Sequence, residues 1–599
     1  MGGLKKDFLQ PALGVVLGLF GAVYSSHAYT FTRADNGSTV RWPTLESSPN
    51  QAIYLAFGGN PSNRSGLNSL SVYQMVVRSL QVWKEAAGET VTFDYWQGDE
   101  TETYIPNSDL NGTSSIYFTS GKSDSAEALG SNIIGLTQMW YEVDSGVLKE
   151  TDIALNDVNF VFTSSPSDTT GSGSGVTTGN RVYIGNVITH EMGHALGLSH
   201  SGSAQSTMLA NEAPDQAHLG CDDISAIRNL YPGSKNDGTG RLTGRILASQ
   251  GQGFFGAQVS VISLARGAVI SARLTESDGS FQFDAIEPAP YAVMVEPFFP
   301  GANSLSNFYS QIQTGCGSGT FGRFFIRDGS SSDLGIFNVS EGNTVTIPDT
   351  AMTCSSGGAQ VAGPQGGSSV GSAHLLEFES NTAAVVDRGT SSSSTLYYRV
   401  SGVNGELHIR TSGFSLYAPV KTQLTLMESN GAVVGQSTQP SYTSESGYKN
   451  YDSRLDVAGL DASSYIVRVQ LSPSSPALVP MGTSSMDSVP YFVLSVNRGP
   501  QSLAKAGDLP DSAKCRLPES FPNYVSPPGG PQLDPEKQEG YGFLGFCGTL
   551  RGLGDGNPPP PSGGQLVGWF APWILLLLMA AHRRLPRPRF HRYATGLTS

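Results

Sequence analysis

The residues most able to do chemistry lie in one run, 190–200, which reads His-Glu-Met-Gly-His-Ala-Leu-Gly-Leu-Ser-His. On a helix, positions four apart share a face, so His190 and His194 can offer their rings to one cation. Gly197 lets the chain leave the helix through a sharp turn, because glycine adopts positive φ at little cost. Such a turn brings His200 round as a third ligand. Three nitrogen ligands leave one position of a tetrahedral zinc open to water, the pattern of a catalytic rather than a structural site. Glu191 stands beside a ligand, where a carboxylate can take a proton from water as it attacks a carbonyl. The expected site is a zinc ion on His190, His194 and His200, with Glu191 as general base and Gly197 as structural support. Three surface histidines on an ordinary helix are the plainer reading; the added glycine and third histidine weigh against it.

Such a site needs a helix, a turn and a scaffold. Val187 and Ile188 supply apolar contacts for the far side of the histidine helix. Val72, Val76, Leu80 and Trp83 recur at helical spacing and stop at Gly88, which predicts an amphipathic helix with a glycine C-cap. Short β-branched and aromatic runs at 91–93, 116–118, 133–140 and 152–155 predict strands, and a Ser/Gly/Thr-rich loop at 164–179 precedes the histidines. Past Pro232 helical spacing nearly vanishes. Residues 239–353 alternate with period two between Gly and Asp turns, as at 258–261 and 281–283, and residues 372–498 do so again, as at 396–400 and 465–469. Both stretches predict all-β sandwiches.

The run 190–200 resembles the zinc-binding pattern of the metzincins, and further residues resemble the matrixins among them. Ser201 follows the third histidine directly, and Met208 stands eight residues past it, within Ser206-Thr207-Met208, at the spacing of the matrixin Met-turn. Leu219-Gly220-Cys221-Asp222-Asp223-Ile224, then Ile227 and Leu230-Tyr231, resembles the closing matrixin helix, with the two aspartates complementing its dipole in the first turn. Residues 150–156 resemble a strand common in bacterial matrixins. The resemblance spans about residues 29–232. It implies an α/β (α+β) metzincin catalytic domain, a zinc metalloendopeptidase acting on protein or peptide, and Met208 as support beneath the metal. By position, residues 135–140 are either the edge strand that pairs with substrate backbone, as in the family, or a simple core strand. The chain also departs from the family. No Pro-Arg-Cys-Gly switch precedes the domain, position 210 is Ala, no His/Asp set offers a second zinc site, and calcium stays open without assignable ligands. Residues 240–246, 256–259 and 277–281 with Tyr291 resemble a carboxypeptidase-regulatory-like sandwich, and 372–498 a pre-peptidase C-terminal domain. Neither carries a catalytic constellation, so both are expected to be spacers or substrate-docking modules.

The fold class expected is thus multidomain: a signal peptide (1–28), the metzincin domain (29–233), a first sandwich (238–354), a linker (355–371), a second sandwich (372–498), a Pro/Gly-rich stalk (499–564) and a hydrophobic segment with a basic tail (565–599). Lys5 and Lys6, an apolar run at 9–23 and Ser26-His27-Ala28 form the three parts of a secretory signal, so export to the cell surface or beyond is expected. At the other end, Ser562-Gly563-Gly564, an apolar run at 566–581 and an arginine cluster up to Arg592 resemble a bacterial sorting signal cut by a membrane protease; a permanent anchor is the alternative. Only 14% of the 599 residues are charged and the net charge is −14, so there is no basic footprint for nucleic acid. Five cysteines are too few for a disulfide framework; Cys316 with Cys354 and Cys515 with Cys547 are plausible pairs, leaving Cys221 as the odd thiol. A zinc hydrolase of non-peptide substrates and a surface adhesion protein with a vestigial protease domain are the rival functions. Oligomeric state and cleavage specificity are not legible.

Overall fold

The computed structural model describes residues 29–43, 53–58, 67–97, 112–121, 133–166, 181–297, 323–352, 365–437, 442–443, 449–473, 491–499 and 591–598, apart from short gaps within these stretches. The expected signal peptide, most of the 164–179 loop, nearly all of the stalk, the apolar run at 566–581 and four of the five cysteines lie outside them.

A parallel sheet sets the scaffold for the histidine helix. Strand β1 (Ile53–Gly58) is followed by helix α1 (Ser69–Ala87), then by β2 (Phe93–Gln97), β3 (Ser114–Phe118), β4 (Ile133–Tyr141) and β5 (Leu148–Leu155). Their order is β2-β1-β3-β5-β4; all neighbours run parallel except β4, which is antiparallel to β5. Parallel neighbours need a crossover, and α1 supplies the one between β1 and β2. It forms where its periodicity predicts: Val72, Val76, Leu80 and Trp83 are buried. Asn68 accepts the Ser71 N–H at 2.8 Å at its start, and Gly88 ends it at φ 69°. β2 begins at Phe93, later than the run at 91–93 predicts. The far edge of β4 carries the C-terminal strand His591–Thr598, antiparallel, with Thr595 opposite Thr137 and Arg592 opposite Trp140.

Strands β6 (Val161–Thr163) and β7 (Arg181–Tyr183) pair, and β7 leads straight into helix α2 (Ile184–Ala195). Every residue of α2 is buried. Such a helix has no solvent face, and it is held by α1 on one side and β4 on another. Helix α3 (Cys221–Leu230) closes this part of the chain. Its Cys221 is disulfide-bonded, with a partner outside the described residues. The odd-thiol expectation was wrong because it paired cysteines by nearness in sequence, which the packing of distant elements does not respect.

Beyond α3 the chain is strand-rich, consistent with two sandwiches. Strands β8 (Gly240–Leu247), β9 (Ala257–Ser263), β10 (Ala268–Leu274), β11 (Ser280–Ile286) and β12 (Ala289–Pro297) form two sheets, with orders β10-β9-β12 and β11-β8. Leu242, Val259, Val261 and Phe281 share one continuous core with Ile188, Ile224 and Ile227 of the helices. The strands after α3 are thus packed against α2 and α3 rather than separated from them. Residues 374–498 make another pair of sheets, whose core takes in Ile262 and Met294 from β9 and β12. There Arg323 pairs with Glu296 at 2.6 Å and donates to the Tyr491 hydroxyl, a buried bridge between the two sandwiches. Among the described residues no helix is long and apolar enough to cross a membrane.

Candidate metal centre

Ring nitrogens of His190, His194 and His200 lie within 4.8 Å of one another, the one such group of metal-ligating side chains found among the described residues. The rings are 0%, 0% and 3% exposed, which removes the surface-histidine reading. Main-chain carbonyls orient two of them: Thr207 O lies 2.7 Å from His190 Nδ1, and Leu198 O lies 2.8 Å from His194 Nδ1. A carbonyl can only accept, so each Nδ1 carries the proton and each Nε2 keeps its lone pair. His190 Nε2 is buried with no hydrogen-bond partner, and His194 Nε2 faces His200 Nε2 at 3.2 Å. Burial holds His190 well below the ordinary imidazole range and brings His194 down to about 4. These rings are therefore neutral at neutral pH. Three buried imidazoles, two of them held neutral and one with an orphaned buried nitrogen, are a donor set that fits zinc.

Gly197 makes the turn that returns His200. It sits at φ 101°, and a side chain there would also collide with the Val40 carbonyl. Met208 is fully buried behind α2, where Gly193 leaves room for it: a Cβ at 193 would collide with Met208 Sδ and lie 2.8 Å from Trp83. The Met208 turn is held from α3 by Asp223, which accepts the N–H groups of Thr207 at 2.6 Å and Met208 at 3.2 Å and the hydroxyl of Ser206. Because Thr207 is the residue whose carbonyl orients His190, Asp223 acts on a candidate ligand through one peptide. Its neighbour Asp222 is likewise buried, and burial raises its carboxyl well above the usual carboxylate range. The two aspartates thus do more than complement the helix dipole expected from their position.

Glu191 is wholly buried against β4. Thr137 Oγ1 lies 2.6 Å from Glu191 Oε2, and a Cβ on Gly135 would come within 2.7 Å of Oε1. So β4 supplies both a hydroxyl that orients this carboxylate and the space it fills. Thr137, Gly135 and Asp223 were not singled out for these tasks in the sequence, because none has a fixed spacing from the histidine run; Thr207 stands at a fixed spacing beside Met208, but nothing in the sequence marks its carbonyl as the one that orients His190. For Gly135 and Thr137 the available signal was the position of 135–140 as a candidate edge strand.

Residues 54–232 match the family model described as Matrixin, of the M10 peptidases. The chain is 49% identical over 45 residues to a probable matrix metalloproteinase 095L of Invertebrate iridescent virus 3, a match covering 8% of this chain and 12% of that protein. Solved structures to which the chain shows some similarity include the Bacillus anthracis TIE protein (11% identity, 37% of this chain and 26% of that one, TM-score 0.13). The major pilin subunit BcpA of Bacillus cereus is another (9% identity, 44% and 59%, TM-score 0.11). TM-scores this low carry no argument about fold or function. The segment that folds around the three histidines is therefore supported as a matrixin domain, and matrixins are zinc metallopeptidases.

Proposed function

We propose that this chain is an exported zinc-dependent endopeptidase that hydrolyses internal peptide bonds of extracellular proteins. His190, His194 and His200 would hold the ion, and Glu191 would be the general base. The observation that carries this reading is the buried cluster of three imidazoles, two of them on the helix that also bears a buried carboxylate oriented by Thr137. Zinc bound there would supply a Lewis acid for the peptide carbonyl and lower the pKa of water to about 7. Glu191 takes a proton from the water as its oxygen adds to the carbonyl carbon, then gives it to the departing nitrogen as the C–N bond breaks. Thr137 keeps the carboxylate in one rotamer through both transfers. An extended peptide suits the site because the edge of β4, the strand that carries Thr137, already pairs antiparallel with another strand of the chain. Export rests on the two terminal sequence patterns.

Glu191→Gln keeps the shape of the side chain and removes the base. Expected is loss of peptide and casein cleavage with zinc still near one per chain, and restoration of wild-type activity by zinc after chelator treatment. Cleavage retained in Glu191→Gln would end the mechanism. A parent chain that binds zinc yet cleaves no peptide would favour the non-peptide hydrolase or the vestigial adhesion protein.

A further inference from the structure

The third histidine, His200, lies beyond the end of α2 and is held from outside it. Residues 197–200 lie against the N-terminal segment: Thr32 N–H donates to Gly197 O at 2.9 Å, Ser199 N–H to Thr30 O at 2.7 Å, and the Thr30 hydroxyl to the carbonyl of His200 itself at 3.1 Å. That segment is in turn tied to the first sandwich, for Tyr29 N–H donates to Ala272 O in β10 at 3.1 Å. On the opposite side, the hydroxyl of Ser201, next to His200, donates to Asp222 Oδ2 at 2.5 Å. The other oxygen, Oδ1, accepts the Ala272 N–H at 2.6 Å. Both supports of the His200 loop therefore end on the two main-chain groups of one residue. Ala272 can serve both because β10 is the edge strand of its sheet: its N–H and C=O point away from β9, the first toward Asp222 of α3 and the second toward the main chain of Tyr29. Asp222, Ser201, Tyr29 and Ala272 are each at most 2% exposed, so water does not compete for these bonds.

We propose that the first β-sandwich is a working part of the metal site, with Ala272 and Asp222 as positioning residues that clamp the loop of the third ligand, His200. The inference rests on the reading that the three histidines hold zinc. Its chemical content is that a strand beyond the matched family segment fixes the angle at which one imidazole meets the ion. Catalytic-domain and sandwich residues are then one apparatus rather than an enzyme with an appendage.

Full-length variants test this by zinc release to a chelator, by the visible spectrum of the cobalt-substituted protein, and by kcat and KM on a peptide. Ala272→Pro removes the outward N–H, which no ladder bond to β9 uses, and sets a ring carbon against Asp222 in its place. Asp222→Ala and Ser201→Ala break the same support without touching the strand. Ser225→Ala removes the neighbouring 2.9 Å contact with Ser271 at the same interface and serves as control. The three clamp variants should release zinc roughly ten- to a hundredfold faster, the range typical of groups that orient metal ligands. Their cobalt spectrum should shift and kcat should fall with KM nearly constant, while Ser225→Ala matches the parent. Should Ala272→Pro fail to fold, Asp222→Ala and Ser201→Ala decide alone. Parental zinc release and cobalt spectra in the folded clamp variants overturn the clamp while leaving the peptidase reading intact. A parent chain that takes up neither zinc nor cobalt overturns both.

Discussion

Thr137 offers Glu191 a single hydroxyl, placed 2.6 Å from the carboxylate and 3.1 Å from the main-chain oxygen of the same residue. A hydrogen bond to a charged group contributes about 1.5–3 kcal/mol. Thr137→Val, which keeps the shape, is therefore expected to lower kcat roughly ten- to a hundredfold with little change in KM. Steady-state kinetics on one peptide measure it, and an unchanged kcat would mean Glu191 needs no such partner. The histidines give a second expectation at this scale. Burial lowers the His194 value to about 4, so this ring stays neutral, lone pair available, from neutral pH down to that point. Protons compete for it only below that value, so zinc should remain bound at pH 5.5 and be lost only below about pH 4. Dialysis across that range followed by metal analysis is the check; loss beginning near pH 6.5 would show rings that titrate like exposed imidazoles. These donors were legible because their spacing along one helix and turn is fixed by backbone geometry. Thr137, 54 residues before Glu191, had no such ruler.

Helix α2 works as an element only because its neighbours press on it from fixed directions. Gly193 is where Met208 and Trp83 meet it, so Gly193→Ala should force the Met208 turn away. Overpacking of this kind costs about 1–3 kcal/mol. Expected are a melting temperature several degrees lower and faster zinc release, read by scanning calorimetry and chelator kinetics; parental behaviour in both would show that the turn bears no load. The sequence made α1, β3, β4 and β5 legible because a buried stripe or alternation records which face is covered. It does not record what covers it. That is why Asp222 and Asp223 read as dipole partners when their carboxylates reach the Ser201 and Met208 segments, and why Cys221 read as a lone thiol.

At the scale of the whole molecule, three sheet systems share buried cores in a row, where spacers or substrate-docking modules were expected. The C-terminal strand His591–Thr598 occupies the β4 edge that an extended substrate would use. Deleting residues 591–599 is expected to raise kcat/KM several-fold, chiefly through KM, in the same peptide assay; unaltered kinetics would mean that substrate does not bind along that edge. Arg592 cannot lie on β4 and beyond a membrane at once, so an anchored tail and an occupied edge are alternative states of one chain. The strand-rich plan beyond α3 was legible from alternation, whereas the pairing of the last eight described residues with β4 had no sequence signal at all.

Zinc-edge X-ray absorption on the purified full-length chain tests the central claim most directly. The account predicts one zinc per chain with three imidazole nitrogens at about 2.0–2.1 Å and a fourth light-atom ligand. A zinc-free protein after zinc loading, or an ion bound through sulfur at about 2.3 Å, would contradict it.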